Sequence, residues 1–138
     1  MLQRVQSLLL LAASALSSLC CFFPFAYGGK NDTLFLDEQL TIDDNLALMI
    51  LVIAVIALPL LAIFLYKNYN LQKKITTIVI LAAFSLFGTA TFLLFTAGVL
   101  FSFGIAIFPP FAVMILAYIA LRGIKKDENI IKSANRIR

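Results

Sequence analysis

The stretch ITTIVILAAFSLFGTATFLLFTAGVLFSFGIAIFPPFAVMILAYIAL, residues 75–121, runs for 47 residues without a single charge. As one helix it would reach about 70 Å, more than twice the roughly 30 Å of a bilayer's hydrocarbon core. Two membrane-spanning helices joined by a tight turn fit it. The turn is expected near residues 96–103, where Gly98 and Ser102 are available. The expected helices cover about 75–95 and 104–121, and Pro109-Pro110 then falls early in the second, where proline is tolerated.

The same reading extends toward the N-terminus. Residues 45–66 form a third apolar stretch, with Pro59 expected to kink it because proline removes a backbone donor and crowds the preceding turn. In lipid the carbonyl so freed needs another partner. Residues 7–26 form the fourth, about 30 Å as a helix. A charged start (Arg4) before an apolar run also describes a secretory signal, with Ala26-Tyr27-Gly28 as a small-x-small step. The run is long for a signal core, and Phe22, Phe23 and Phe25 crowd that step, so a retained helix is preferred. Hydrophobic residues make up 62% of the 138 and charged ones 13%, too apolar for a soluble domain of this size. The expected fold is a single all-α membrane domain, residues 1–138, of four transmembrane helices at about 7–26, 45–66, 75–95 and 104–121.

Charge sets the orientation. Of eleven basic residues, one precedes the first helix, three lie in the loop at 67–74 and six in the tail at 122–138. The loop at 27–44 has one base and five acids: Asp32, Asp37, Glu38, Asp43 and Asp44. Lys and Arg collect on the cytoplasmic side, so both termini, the 67–74 loop and the basic tail are expected there, with 27–44 outside. Within 27–44, residues 33–36 and 40–42 could pair as a hairpin, and Thr41 or Asp43 could cap the next helix.

Little chemistry is visible. The chain has no His, so the usual base of a hydrolytic triad is missing. None of the four expected spans holds an Asp, Glu, Lys, Arg or His, one of which coupled transport usually needs at membrane depth; small multidrug exporters of similar length rely on such a carboxylate. Cys20 and Cys21 have no metal-ligand spacing, and a thiol buried in lipid has little reactive thiolate. The acids of 27–44 lack the spacing of a calcium loop. Asn31-Asp32-Thr33 matters as a glycan acceptor only in a eukaryotic secretory route. Ser14 and Ser18, Ala13 and Ser17, and Ser85 and Thr89 with Gly88 read as small-residue packing faces. Neither enzyme activity nor a cofactor or metal is expected, and nucleic acid is not an expected partner.

The tail is the most informative segment. Ile130, Ile131, Ala134 and Ile137 recur at helical spacing among Lys132, Arg136 and Arg138. This basic amphipathic helix suits anionic headgroups, a protein partner or a solvated extension of the fourth helix.

The opening Met1-Leu2-Gln3-Arg4-Val5-Gln6-Ser7, the middle Ile63-Phe64-Leu65-Tyr66-Lys67-Asn68 with Leu71-Gln72, and the end Ile124-Lys125-Lys126-Asp127-Glu128 through Ser133-Ala134-Asn135-Arg136-Ile137-Arg138 resemble a domain-of-unknown-function family of small four-helix bacterial inner-membrane proteins. One departure is Asn135, where that family usually has Asp. The resemblance implies four retained spans in a bacterial inner (plasma) membrane and transfers no catalytic residue. It singles out Gln3, Arg4, Gln6, Lys67, Asn68, Gln72, Asp127, Glu128, Arg136 and Arg138 as a possible polar cluster on the cytoplasmic face, with Asp127 or Glu128 pairing Arg4 or Arg122. Generic headgroup anchoring is the alternative. The function that fits is a non-enzymatic accessory or structural protein binding lipid, another membrane protein or its own copy; the alternative is a small oligomeric transporter or channel.

This orientation predicts that alkaline phosphatase fused after Phe35 is active and fused after Arg138 is inactive; the opposite pattern would invert the topology.

Overall fold

The computed structural model describes residues 2–28, 38–66, 68–96 and 100–136, with the side chains of 2–4, 132 and 134–136 left aside. Its four helices are α1 (Leu2–Ser18), α2 (Leu46–Phe64), α3 (Tyr69–Thr96) and α4 (Pro109–Arg136). Each packs on two neighbours: α1 on α2 and α4, α3 on α2 and α4. The result is an up-and-down bundle. The start of α1, the end of α2, the start of α3 and the end of α4 lie at one end, hereafter the terminal end.

The inward residues explain the bundle. They are Gln6, Leu10, Ala13, Ser17 and Cys20 on the first helix and the turn after it; Leu48, Val52, Val55, Pro59 and Ala62 on α2; Gln72, Thr76, Val79, Ala83, Leu86, Ala90 and Leu94 on α3; and Val113, Ala117, Ala120, Ile124 and Asp127 on α4. Steps of three and four alternate in these sets, except that α3 ends on two steps of four. That spacing is characteristic of helices packed nearly parallel, knobs into holes. Many inward residues are small, while Leu8, Leu11, Phe84, Phe92 and Phe95 point outward. Three helices, Leu46–Phe64, Tyr69–Thr96 and the segment Ile105–Ile131, are long and apolar enough to cross a membrane; Val5–Cys21 is a shorter apolar helix.

The first helix differs from its expected span of 7–26. It begins at Leu2, ends as an α-helix at Ser18 and tightens into a 3₁₀ turn at Leu19–Cys21. Phe22 and Phe23 both donate their N–H to the Leu19 carbonyl, at 3.1 Å each, and Pro24 then has no donor with which to continue. Seventeen α-residues plus a three-residue 3₁₀ turn still rise about 31 Å.

A further departure from the all-α expectation is a small antiparallel sheet at the end opposite the termini. It comprises β1 (Ala26–Gly28), β2 (Gln39–Leu40) and β3 (Phe101–Phe103) in the order β2-β1-β3. Ala26 pairs with both Leu40 and Phe103. The expected 33–36/40–42 hairpin is not the pairing used by Leu40, and residues 33–36 lie outside the described residues. Helix α4 starts at Pro109 rather than 104, after a 3₁₀ turn at Ile105–Ile107. Pro109 occupies the first helical position, where its missing N–H has no helical partner to lose. The expected caps also shift. Asn45, not Thr41 or Asp43, caps α2 by accepting the Ala47 N–H at 2.8 Å, while the Asp44 carboxylate holds the Thr41 N–H and hydroxyl at 2.6 and 2.9 Å.

Gly104 ties this sheet to the bundle. Its N–H donates to the Phe25 carbonyl at 2.8 Å, and the Ala106 N–H reaches the Pro24 carbonyl at 3.1 Å. A Cβ on Gly104 would lie 2.2 Å from the Pro24 oxygen, which as backbone cannot swing aside.

Helix α2 passes unbroken through Pro59. The carbonyl left without its helical donor is that of Val55, four residues back. Ser17 Oγ lies 3.4 Å from it, sharing its proton with the Ala13 carbonyl at 2.8 Å. Ser14 Oγ donates to the neighbouring Ile56 carbonyl at 3.0 Å. The small-residue face of α1 is therefore also what answers the proline. By contrast, Ser85 and Gly88 face outward, so the second small-residue face expected on α3 does not pack within this bundle.

Two glycines test this picture in opposite directions. Gly104→Ala should lower the melting temperature in detergent or prevent folding. Gly88→Ala, which meets nothing within 4 Å, should raise stability by about 0.5–1 kcal/mol. Equal tolerance of both substitutions would refute the backbone tie at Gly104.

Candidate functional site

At the terminal end the inward positions change from apolar to polar. The same three-four spacing that places Leu10 and Ile124 in the core places Gln6 and Asp127 one step nearer the end, and on α3 it places Thr76 and then Gln72 there. Gln6 is 3% exposed, Gln72 3% and Asp127 8%. Gln6 Nε2 donates to Asp127 Oδ2 at 2.8 Å across the α1–α4 interface. Gly123, one turn before Asp127, makes room for this. A Cβ there would stand 3.1 Å from Gln6 Cγ and Nε2, so Gln6 lies directly against the α4 backbone.

Helix α3 is joined at the same level. Lys73 Nζ forms a salt bridge with Glu128, both side chains being largely buried. Gln72 is the neighbour of Lys73 and faces further in. Its carbonyl accepts the Thr76 hydroxyl at 2.8 Å, but its carboxamide makes no hydrogen bond among the described residues. Thus both carboxylates of α4 turn toward the bundle and are engaged there.

Three cations of α4 turn the other way. Arg122, Lys125 and Lys126 lie with Asn129, Ile130 and Ser133 around an open hollow of about 500 Å³ on the outward face. At 100° per residue this arc stands opposite the buried stripe of Val113, Ala117, Ala120 and Ile124. The Arg122 guanidinium sits 5.3 Å over the Tyr118 ring, an arrangement that fixes it in place by cation–π attraction. No carboxylate pairs with Arg122, Lys125 or Lys126 among the described residues.

Of the residues expected to cluster, the structure brings together Gln6, Gln72, Asp127 and Glu128. Asn68 is exposed and accepts the Gln72 N–H through its backbone carbonyl at 2.9 Å. Gln3, Arg4 and Arg136 are helical in backbone but their side chains are outside the described set; Lys67 and Arg138 lie outside the described residues. Among the described residues Asp127 takes Gln6, Glu128 takes Lys73 and Arg122 takes the Tyr118 ring; the expected pairing with Arg4 involves a side chain outside the described set. Lys73 and Gly123 were not singled out from sequence. The signal for Gly123 was its place within a helix, where glycine costs about 1 kcal/mol unless packing uses the space.

A family model described as domain of unknown function (DUF4293) matches residues 2–137, and the chain belongs to that family. No curated protein and no solved structure matches it.

The Gln6–Asp127 contact predicts coupling. Gln6→Leu leaves a buried carboxylate without its donor and should cost about 1.5–3 kcal/mol. Adding Asp127→Leu should recover part of that loss in a double-mutant cycle. Gln72→Leu, which removes an unanswered amide, should be neutral or stabilising. Strictly additive effects at 6 and 127 in denaturation from detergent would dismiss the contact.

Proposed function

We propose that this DUF4293 member is a non-enzymatic accessory protein of a bacterial inner (plasma) membrane. In this reading it crosses the bilayer four times with both ends in the cytoplasm, and it binds a membrane protein partner, or a second copy, through the projecting end of α4. The observation that carries the reading is the length of that helix and its anchoring to two neighbours. Its charge-free run ends at Leu121, yet the helix continues unbroken to Arg136, and the Gln6–Asp127 and Lys73–Glu128 contacts brace it on two sides.

Depth separates two parts of this projection. Headgroups occupy about 5–8 Å beyond each edge of the hydrocarbon core. With Arg122 at that edge, Lys126 stands about 6 Å out along the helix and Ile130 and Ile131 about 12–14 Å out. Ile130 is 51% exposed and Ile131 43%. Two isoleucines held beyond the headgroups, among cations, form an apolar contact better suited to a protein surface than to water.

The transporter or channel alternative receives less support from the packing. The centre of the bundle is filled by Val52, Val79, Ala83, Leu86, Val113 and Ala117, and Ser85 lies outside it. Among the described residues a polar route through one copy has no lining at that centre.

A photo-crosslinking amino acid at Ile130, used in native membranes, should trap one stoichiometric partner, and Ile131→Asp should abolish the adduct. The same crosslinker at outward Phe84 serves as the reference. Equal, unspecific labelling at both positions would remove the adaptor reading.

A further inference from the structure

Helix α4 is sorted by charge more sharply than membrane orientation requires. Between Arg122 and Ser133, both acids face the bundle, where Gln6 and Lys73 engage them. Arg122, Lys125 and Lys126 share the opposite face and one hollow. A positive end alone would be served by cations at any angle around the helix; here three converge where no carboxylate of the same helix offsets them.

The hollow also has a fitting place and frame. Arg122, Lys125 and Lys126 span about 6 Å of helix, close to the depth of one headgroup layer. Arg122 is held over Tyr118, and beyond Tyr118 the same side of α4 presents Ile115 and Phe111, all three exposed. Polar and charged groups at headgroup depth are thus continuous with an apolar track that ends at Phe111, about 16 Å along the helix from Arg122, a distance close to the thickness of one leaflet's acyl region.

We propose that Arg122, Lys125 and Lys126, with Asn129, hold the phosphate of an anionic glycerophospholipid in the leaflet at the terminal end, its acyl chain lying along Tyr118, Ile115 and Phe111. The proposal rests on the reading that α4 crosses a bilayer, but not on the existence of a protein partner. The guanidinium supplies a planar pair of donors suited to phosphate oxygens, and the two ammonium groups supply point charge. Asn129 adds a neutral donor to the same hollow. Because cations near a lipid surface are worth about 1 kcal/mol each, three of them correspond to a preference on the order of one hundredfold for an anionic over a zwitterionic headgroup.

The full chain in detergent, offered equal phosphatidylglycerol and phosphatidylcholine of matched acyl chains, should retain the anionic lipid at least about tenfold over the zwitterionic one in native mass spectra. Arg122→Gln/Lys125→Gln/Lys126→Gln should reduce that ratio to near one. The charge-matched variant Lys67→Gln/Lys74→Gln/Arg138→Gln should keep it. All three substituted side chains of the first variant line an open hollow, and unchanged circular dichroism melting confirms that it folds. Should it fail to fold, Lys125→Gln alone is read, with a several-fold fall expected. Loss of preference in both triple variants means that net charge alone binds, and the proposal is overturned. Displacement of phosphatidylglycerol by millimolar inorganic phosphate marks a free-anion site and overturns it equally. The Ile130 crosslink is scored separately in the lipid-defective variant, so that failure of the lipid site and failure of the partner reading are distinguishable.

Discussion

Apolar burial does not by itself hold this bundle in one arrangement, because its outward faces are as apolar as its seam. Leu8, Leu11, Phe84, Phe92, Phe95 and Phe111 point away from the neighbouring helices, while Ala13, Ala83, Ala90, Ala117 and Ala120 point toward them. In water this distribution would exchange large apolar surface for solvent and leave small side chains inside. In lipid, where a leucine gains little by moving between helix contact and acyl chains, association depends on close backbone approach and on the polar groups that must find partners. The small seam provides the first. The polar contacts are consequently few, and each falls where a particular helix pair has to be fixed.

Three such places account for most of the specificity. Ser14 and Ser17 reach the α2 carbonyls at Pro59, so the helix that carries an interior proline acquires a definite neighbour. The Pro24–Phe25 backbone is tied to Gly104 and Leu40, which closes the sheet end and draws the two long connections into one small sheet. At the terminal end Gln6, Asp127, Lys73 and Glu128 join α1 and α3 to α4. Hydrogen bonds between membrane helices average only about 0.6 kcal/mol; what they supply is choice of neighbour and register more than bulk stability.

This division also explains which features were legible in the sequence. Charge-free stretches identify helices because lipid requires internally satisfied backbone over a fixed length, and so the four helices could be read from composition and length. Pro59 pointed to an open carbonyl, and Ala13 and Ser17 to a packing face, but their meeting could not be read, because helix rotation is set by the seam as a whole. The end of α1 at Ser18 was obscured since residues 19–26 are as apolar as those before them; Pro24 and the backbone bonds of Phe22 and Phe23, not hydropathy, stop the helix. The sheet was hidden for a related reason. Its strands are two or three residues long and separated by most of the chain, and Gly104 reads locally as a helix start although it is required by contact with Pro24, 80 residues away. The candidate site was half legible. Polar residues at the helix ends were apparent, but nearest opposite charge suggested arginine partners where the inward stripes instead placed Gln6 against Asp127.

The terminal end therefore has an electrostatic asymmetry that follows from its packing. Placing Asp127 and Glu128 toward the bundle removes the only acids from the outward face of α4. A helix built with its acids outside would neutralise its own cations through turns of the same helix and present a net-neutral outward surface. With the acids engaged inside, Arg122, Lys125 and Lys126 act together outward. The polar contacts that brace α4 and the positive face that α4 presents are thus two consequences of one rotational setting. Since Gly123 lets Gln6 approach α4 closely enough to reach Asp127, a residue with no side chain helps to decide which way the charges of this helix point.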